Sequence, residues 1–189
     1  MLVLASASPR RADLLRGAGR ELVVAAVDAD EGWRAGETPP AYTARVARAK
    51  AELALPRHPD AVILAADTTV WRPGGPPIGK PGDRAEAAAM IGELAGGSHL
   101  VTTAFALVDA RGGPPTWLEE QVTTEVWMRT LAADELAAYL DGEDWRGKAG
   151  GYGIQSAAAG IVTRIAGSYT AVVGLPLAEV LVALRRLGL

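Results

Sequence analysis

Two hydroxyls and two arginines near the start of the chain have the types and spacing of an anion-binding site. The segment Ser-Ala-Ser-Pro-Arg-Arg at 6–11 directly follows the apolar run 2–5, which predicts a buried strand. Ser8 followed by proline is typical of a helix start. A helix N-terminus carries free N–H groups and partial positive charge, so Arg10 and Arg11 there indicate a bound phosphate. Alternatively, both arginines are solvated on an ordinary helix.

Two acidic positions are candidates for acid–base or metal chemistry. Asp67 follows the apolar run 61–66, and ligands bind where strands of an α/β sheet end. The alternative for Asp67 is an Asx turn that merely closes the strand. Glu31 lies in the acidic loop 28–31. Together the two carboxylates could hold Mg²⁺ through oxygen ligands and waters, but their spacing does not force them to meet.

Two lysines could neutralise phosphate charge. Lys80 lies in the stiff turn Gly-Lys-Pro-Gly-Asp at 79–83, where it could reach a phosphate as a point charge. An ordinary exposed turn lysine is the alternative. Lys50 shares a helix with Arg45 and Arg48, and most of these charges should be solvated, with one able to point into a cleft.

A glycine-rich segment at 147–153 leads into Gln155, whose amide could read the edge of a nucleobase. The alternative is a plain glycine-rich turn. His58 and His99 are the only histidines and have no supporting motif, which argues against a Ser-His-Asp triad and against a histidine-rich zinc site. The chain also has no Walker motif and no dinucleotide-binding fingerprint.

The elements that must position these residues alternate along the chain. Apolar runs and turn residues predict strands at 2–5, 22–27, 61–66, 70–71, 77–78, 99–109, 117–128 and 161–165. Caps, prolines and periodicity predict helices at 9–18, 38–55, 83–94, 130–140 and 176–187, with Thr38, Asp83 and Thr130 as starts. The pattern indicates an α/β fold with long antiparallel ribbons rather than a simple doubly wound sheet.

Bulk properties narrow the class of protein. The 189 residues are 49% hydrophobic with a net charge of −3 and no cysteine, which fits one domain over 1–189 with two lobes around a cleft. No apolar run is long enough to span a membrane, and no signal peptide is evident, so we expect a cytoplasmic protein. The negative charge disfavours a nucleic-acid partner.

Taken together, five motifs resemble the Maf family of nucleotide pyrophosphatases. They occur in the family's order and span nearly the whole chain. The matching segments are Leu-Ala-Ser-Ala-Ser-Pro-Arg-Arg at 4–11, Ala-Asp-Thr-Thr-Val at 66–70, Gly-Lys-Pro at 79–81, Lys-Ala-Gly-Gly-Tyr-Gly-Ile-Gln at 148–155, and 167–177.

The resemblance implies a mixed sheet with flanking helices and a central cleft, similar to the inosine triphosphate pyrophosphatase fold. It also implies a hydrolase of nucleotide metabolism that cleaves nucleoside triphosphates between the α and β phosphates. Family members are described as house-cleaning enzymes and as inhibitors of septum formation. They use a divalent metal, Mg²⁺ or Mn²⁺, and are often dimers, so a homodimer is expected as one form.

Residue roles follow from the resemblance by position. Asp67 looks like the family's proton acceptor, and Glu31 matches an acidic residue that helps Asp67 bind metal. Ser6, Arg10 and Arg11 would grip the triphosphate, while Lys50 and Lys80 would neutralise charge on the phosphates.

The segment Tyr-Gly-Ile-Gln at 152–155 resembles the family branch that acts on dTTP and UTP, and CTP or modified pyrimidine nucleotides are further candidate substrates. Thr68, Gln155 and one of the two N-terminal arginines would set base choice. Ser156 and the three alanines after it occupy positions where the family is usually more glycine-rich. We therefore expect this loop to be less flexible than in other family members. The alternative function is a nucleotide-binding regulator of septum formation and cell division with little catalysis, and a nucleic-acid-binding module is disfavoured.

Overall fold

The protein is a seven-stranded mixed sheet with helices on both faces. The computed structural model describes all residues, 1–189. The strands are β1 (Leu2–Leu4), β2 (Val23–Val24), β3 (Val62–Trp71), β4 (Pro77–Ile78), β5 (Ser98–Asp109), β6 (Thr116–Met128) and β7 (Val162–Ala166). The helices are α1 (Pro9–Gly17), α2 (Pro39–Ala54), α3 (Arg84–Leu94), α4 (Ala133–Asp141), α5 (Tyr169–Val173) and α6 (Leu177–Arg186).

The sheet has the order β2-β1-β3-β5-β6-β7, with β4 paired to β3 outside this path. β1 runs parallel to β2 and β3, whereas the pairs β3–β5, β5–β6 and β6–β7 are antiparallel. Antiparallel strands can be joined by tight turns, while the parallel pairs need helical crossovers, which α1 and α2 supply. The mixed α/β sheet with long antiparallel ribbons is therefore confirmed.

A gap along one edge of β3 creates the space for a site. β1 pairs with β3 only as far as Leu64, and β4 pairs with the same strand only from Val70 onward. On its other edge β3 is continuously paired with β5, from Val62 to Trp71. The stretch 66–69 of β3 is thus held firmly from one side and open on the other, just beyond the carboxyl end of β1.

Each face of the sheet is covered by its own helices. Ala12 and Leu15 of α1 pack with Leu64 of β3 and Leu184 of α6 in one buried cluster. On the opposite face, the small side chains of α2 pack against Ile63 and its neighbours. A third cluster lies where α3, α4 and the glycine-rich segment meet the far end of the sheet.

Most element boundaries agree with the sequence. The Thr38 hydroxyl accepts from the Ala41 N–H at the start of α2, and Asp83 caps α3 through the Glu86 N–H, as predicted. None of the six helices has the length and apolar character that crossing a membrane requires.

Three boundary predictions were wrong. The strand predicted at 22–27 covers only Val23–Val24, since β2 pairs with β1 at two positions alone. Asp67 does not end its strand, because Thr68 and Thr69 continue the pairing with β5. Helix α4 begins after Ala132 rather than Thr130, since Glu135 accepts the Ala132 N–H and caps the helix there.

Candidate active site

A cleft with a volume of about 300 Å³ opens beside the unpaired edge of β3. It is bounded by the start of α1, the acidic loop, α2, the turn after β4 and the glycine-rich segment. All of the site residues predicted from sequence line this one cleft: Ser6, Arg10, Arg11, Glu31, Lys50, Asp67, Thr68, Lys80 and Gln155. The structure therefore brings together residues that lie up to 149 positions apart in the chain.

The cleft contains a carboxylate pair that shares one ammonium group. Lys50 Nζ donates to Asp67 Oδ1 at 2.8 Å and forms an ion pair with Glu31 Oε1 at 2.6 Å. Lys50 and Asp67 are largely buried, with 9% and 11% of their side chains exposed, whereas Glu31 is 47% exposed. Two carboxylates crowded into one site would repel each other, and the buried ammonium offsets that repulsion.

Hydrogen bonds between helix α2 and the acidic loop hold Glu31 beside Lys50. Tyr42 donates its hydroxyl to the Glu31 carbonyl at 2.9 Å, and Arg45 donates to the Gly32 carbonyl at 2.8 Å, so the loop is tied to α2. Partial burial opposes ionisation of Glu31, but the hydrogen bond and the charge of Lys50 outweigh it. The pKa of Glu31 consequently lies below its ordinary value.

Arg11 organises the opposite wall of the cleft. Its guanidinium donates to the Gly174 carbonyl at 2.7 Å, to Ser6 Oγ at 2.9 Å and to Thr68 Oγ1 at 3.1 Å. Burial lowers the pKa of Arg11, although it still carries its charge because an arginine pKa starts far above neutrality. Arg11 thus links α1, β3 and the turn between α5 and α6, and presents a buried positive charge to the cleft.

Arg10 and the first turn of α1 face the cleft beside it. Arg10 is half-buried, and burial lowers its pKa while the charge of Asp144 opposes that change. Ser8 occupies the cap position as predicted, but its hydroxyl makes no capping hydrogen bond. Its N–H instead donates to Ser6 Oγ at 3.2 Å. No side chain therefore satisfies the free N–H groups at the start of α1, which suits them to an anion.

Lys80 stands at the mouth of the cleft on an exposed turn. It also lines a smaller adjoining pocket of about 150 Å³, together with Glu31 and Asp67. The Gly79 carbonyl accepts from the Gly150 N–H at 2.9 Å, so this turn is joined to the glycine-rich segment. The carboxylate pair therefore lies between two pockets, with a lysine at their junction.

Gln155 is exposed on the cleft wall at the end of the glycine-rich segment. Thr68, across the cleft, shares a hydrogen bond of 2.9 Å with Thr103 of β5 in addition to its bond from Arg11. The Thr68 hydroxyl is thus fixed by the sheet, while the Gln155 amide projects from a loop.

Two residues of the cleft region were not selected from the sequence. Lys148 lines the cleft and donates to Asp144 Oδ1 at 2.7 Å. Lys148 belongs to the motif at 148–155, whereas its partner Asp144 lies before that motif. No spacing rule in the sequence identifies Asp144.

The donors suited to a divalent cation are Glu31 and Asp67. No group of three or more His, Cys, Asp or Glu side chains converges anywhere in the chain, so the protein has no complete cage of its own for a metal. Mg²⁺ commonly binds through one or two carboxylates together with waters and substrate phosphates. Asp67 and Glu31 each direct one carboxylate oxygen to the ammonium of Lys50, and two carboxylates held together in this way fit that type of site.

The family model for "Maf-like protein" matches residues 1–187. The chain belongs to the Maf family. A relative from Roseobacter denitrificans, named dTTP/UTP pyrophosphatase, is 46% identical, and the match covers 100% of this chain and 97% of the relative. A relative from Rhodospirillum rubrum with the same name is 48% identical over 94% of this chain and 83% of its own. The resemblance inferred from the five motifs is confirmed.

Among solved structures, this Maf protein is similar to the Staphylococcus aureus Ham1 protein. The two share 14% identity and a TM-score of 0.41, and the match covers 66% of this chain and 71% of that one.

Proposed function

We propose that this Maf protein hydrolyses dTTP and UTP to the nucleoside monophosphate and pyrophosphate. The observation that carries the proposal is the pair of carboxylates, Asp67 and Glu31, that Lys50 bridges. This pair lines a cleft that also contains the start of α1 with its two arginines. The names of the relatives described above support the choice of substrate.

In the reaction, the oxygen of a water molecule forms a bond to the α-phosphorus. The bond between that phosphorus and the oxygen that bridges it to the β-phosphorus breaks, and pyrophosphate leaves. Asp67 accepts the proton of the attacking water as general base. Lys50 orients the Asp67 carboxylate through its hydrogen bond to Oδ1.

The positive groups of the cleft stabilise the charge that develops on the phosphates. Arg10 and the N–H groups at the start of α1 bind the phosphate chain, and Ser6 supports them through its bond from Arg11. Lys80, at the junction of the two pockets, neutralises charge on the departing pyrophosphate.

Glu31 and Asp67 would hold a divalent cation, Mg²⁺ or Mn²⁺, through their carboxylate oxygens. When bound, such a cation screens phosphate charge and lowers the pKa of water. A carboxylate has about four lone-pair sites on its two oxygens, so Asp67 could hold the cation and accept the proton while Oδ1 accepts from Lys50.

Base choice rests on Thr68 and Gln155, with Arg11 acting through Thr68. The Gln155 amide offers a donor and an acceptor, which match the carbonyl and N–H on the edge of thymine or uracil. Arg11 is already bonded to Gly174, Ser6 and Thr68, so its contribution is to fix the Thr68 hydroxyl.

A nucleotide panel tests the proposal directly. Pyrophosphate release is measured with dTTP, UTP, CTP, 7-methyl-GTP and ITP, each with Mg²⁺ or Mn²⁺. We expect turnover of dTTP and UTP, and little of 7-methyl-GTP or ITP. A preference for 7-methyl-GTP would contradict the assignment to the dTTP/UTP branch. If no nucleotide is hydrolysed, the proposal that the protein is a pyrophosphatase is wrong.

No structural observation favours the alternative, a nucleotide-binding regulator of septum formation, because such a binder has no need of a base at Asp67. A cytoplasmic location, a homodimer and the lack of a nucleic-acid partner stay predictions.

A further inference from the structure

The segment that carries Gln155 is held by a hydrogen-bond network at the position where this chain departs from the glycine-rich pattern. The hydroxyl of Ser156 donates to Asp144 Oδ2 at 2.7 Å and lies 3.0 Å from the Gly153 carbonyl oxygen. A glycine at position 156 could make neither contact. The serine therefore replaces backbone freedom with a specific attachment.

Asp144 is the centre of this network. Its other carboxylate oxygen, Oδ1, accepts from Lys148 Nζ at 2.7 Å. The Asp144 and Lys148 side chains are only 19% and 14% exposed. Burial opposes the charge of Asp144, but the hydrogen bonds from Lys148 and Ser156 outweigh it and hold its pKa below the ordinary value.

The stem of Lys148 packs directly on the backbone of Gly153. A Cβ atom added at Gly153 would lie 2.7 Å from Lys148 Cε and 2.9 Å from Ser156 Oγ, both closer than van der Waals contact allows. The Lys148 side chain therefore packs on the backbone at Gly153, two residues before Gln155. Its charge is satisfied by Asp144, which distinguishes it from the unpaired Lys80.

The beginning of the same segment is anchored independently. Gly150 donates to the Gly79 carbonyl at 2.9 Å, Tyr139 donates to the Gly151 carbonyl at 2.9 Å, and Tyr152 bonds to His99 at 2.7 Å. With Gly153 and Ser156 also held, Gln155 is an exposed side chain between fixed backbone points.

We propose that Asp144 is a positioning residue that, through Ser156 and Lys148, orders the loop so that the Gln155 amide is presented to the base before substrate arrives. This inference rests on the proposed function, since it assigns Gln155 a nucleotide base to read. A loop ordered in advance spends less binding free energy on ordering when the nucleotide binds.

The test compares Ser156→Ala and Asp144→Asn with two controls. Ser156→Thr keeps a hydroxyl at the same position, and Asp141→Asn changes an exposed aspartate three residues away whose partner is Arg84. The measurements are kcat and KM for dTTP and CTP, and inhibition by inorganic tripolyphosphate, which has phosphates but no base. Circular dichroism melts establish that each variant is folded.

We expect Ser156→Ala and Asp144→Asn to raise KM for dTTP about tenfold and to change kcat less than about twofold. The preference for dTTP over CTP should fall, while inhibition by tripolyphosphate should not weaken. Ser156→Thr and Asp141→Asn should behave as the wild type. An unchanged KM in both test variants, or tripolyphosphate inhibition that weakens in parallel with KM, overturns the inference.

Failure of the proposed function gives a different result. If the wild-type chain releases no pyrophosphate from any nucleotide, the proposed function fails. The positioning role is then judged from the dissociation constant of dTTP by calorimetry. A tenfold weakening in both variants supports it, and an unchanged dissociation constant overturns it.

Discussion

Lys50 Nζ lies 2.8 Å from Asp67 Oδ1 and at the same time 2.6 Å from Glu31 Oε1, and so joins α2 to β3 and to the acidic loop. The ammonium therefore holds in place the two carboxylates on which the proposed chemistry depends. Its loss would leave Asp67 as a buried charge without a partner.

Lys50→Met should lower the free energy of unfolding by about 2–4 kcal/mol, because removing one partner of a buried ion pair leaves the other uncompensated. Urea denaturation at neutral pH measures the loss. Adding Asp67→Asn to Lys50→Met should recover part of it. Arg48→Met is the control: Arg48 lies on the same helix, but its side chain is 36% exposed against 9% for Lys50, so its loss should cost much less. Equal losses for the two methionine variants would contradict a buried ion pair at Lys50.

The protein should lose stability as the pH falls below neutrality because of His99. Burial, aided by the charge of Arg72, lowers the pKa of His99 from 6.5 to about 4. Between these values the unfolded chain binds a proton that the folded chain rejects, so stability present at neutral pH is lost on acidification. The loss attributable to His99 between pH 7 and pH 5 is about 2 kcal/mol.

His99→Gln tests this dependence, because a glutamine can still bond to the Tyr152 hydroxyl but cannot titrate. The free energy of unfolding is measured in urea at pH 7, 6 and 5 for both chains. The variant should show a shallower decline than the wild type. Parallel declines would show that another group is responsible.

Substitutions at the neighbouring residues Arg10 and Arg11 should have different effects, on KM and on stability respectively. Arg11→Lys keeps the charge but cannot reach Gly174, Ser6 and Thr68 together, so the free energy of unfolding should fall by about 2–3 kcal/mol. Arg10→Gln should change stability by less than about 0.5 kcal/mol and raise KM for dTTP about tenfold. Denaturation curves and initial rates for the two variants distinguish these roles. A large loss of stability in Arg10→Gln would contradict the view that Arg10 binds substrate while Arg11 supports the fold.

Several elements could be predicted from local sequence because their signals are local. The caps at Thr38 and Asp83 bond to N–H groups three residues away, and the hairpin of β3 and β4 closes over a short turn. The start of α4 differs from the predicted Thr130 because Glu135, inside the helix, caps it by accepting the Ala132 N–H while it also pairs with Arg129.

The geometry of the site was harder to predict because it depends on contacts between distant segments. Nothing in the spacing of Glu31 and Asp67 indicates that both contact Lys50. Nor does the α2 sequence show which cation turns inward: Arg45 pairs with Glu37 and Arg48 pairs with Glu119, which leaves Lys50 for the cleft. The five motifs contain residues that line one cleft, but only the fold shows how those residues contact one another.

The position of Asp67 is a similar case. Its apolar run predicted a strand that ends at the carboxylate, where an α/β sheet commonly binds ligands. The strand instead continues to Trp71, and Asp67 borders the cleft because the pairing of β1 with that edge of β3 ends at Leu64. Where a neighbouring strand ends cannot be inferred from the strand's own sequence.

The measurement that tests the central claim most directly is pyrophosphate release from dTTP by the wild type and by Asp67→Asn, with dTTP binding followed by calorimetry. Asp60→Asn, an exposed aspartate just before β3, is the control. The account predicts a fall in kcat of about 10³-fold in Asp67→Asn, with dTTP still bound and the control fully active. Full turnover by Asp67→Asn would contradict the assignment of Asp67 as the base.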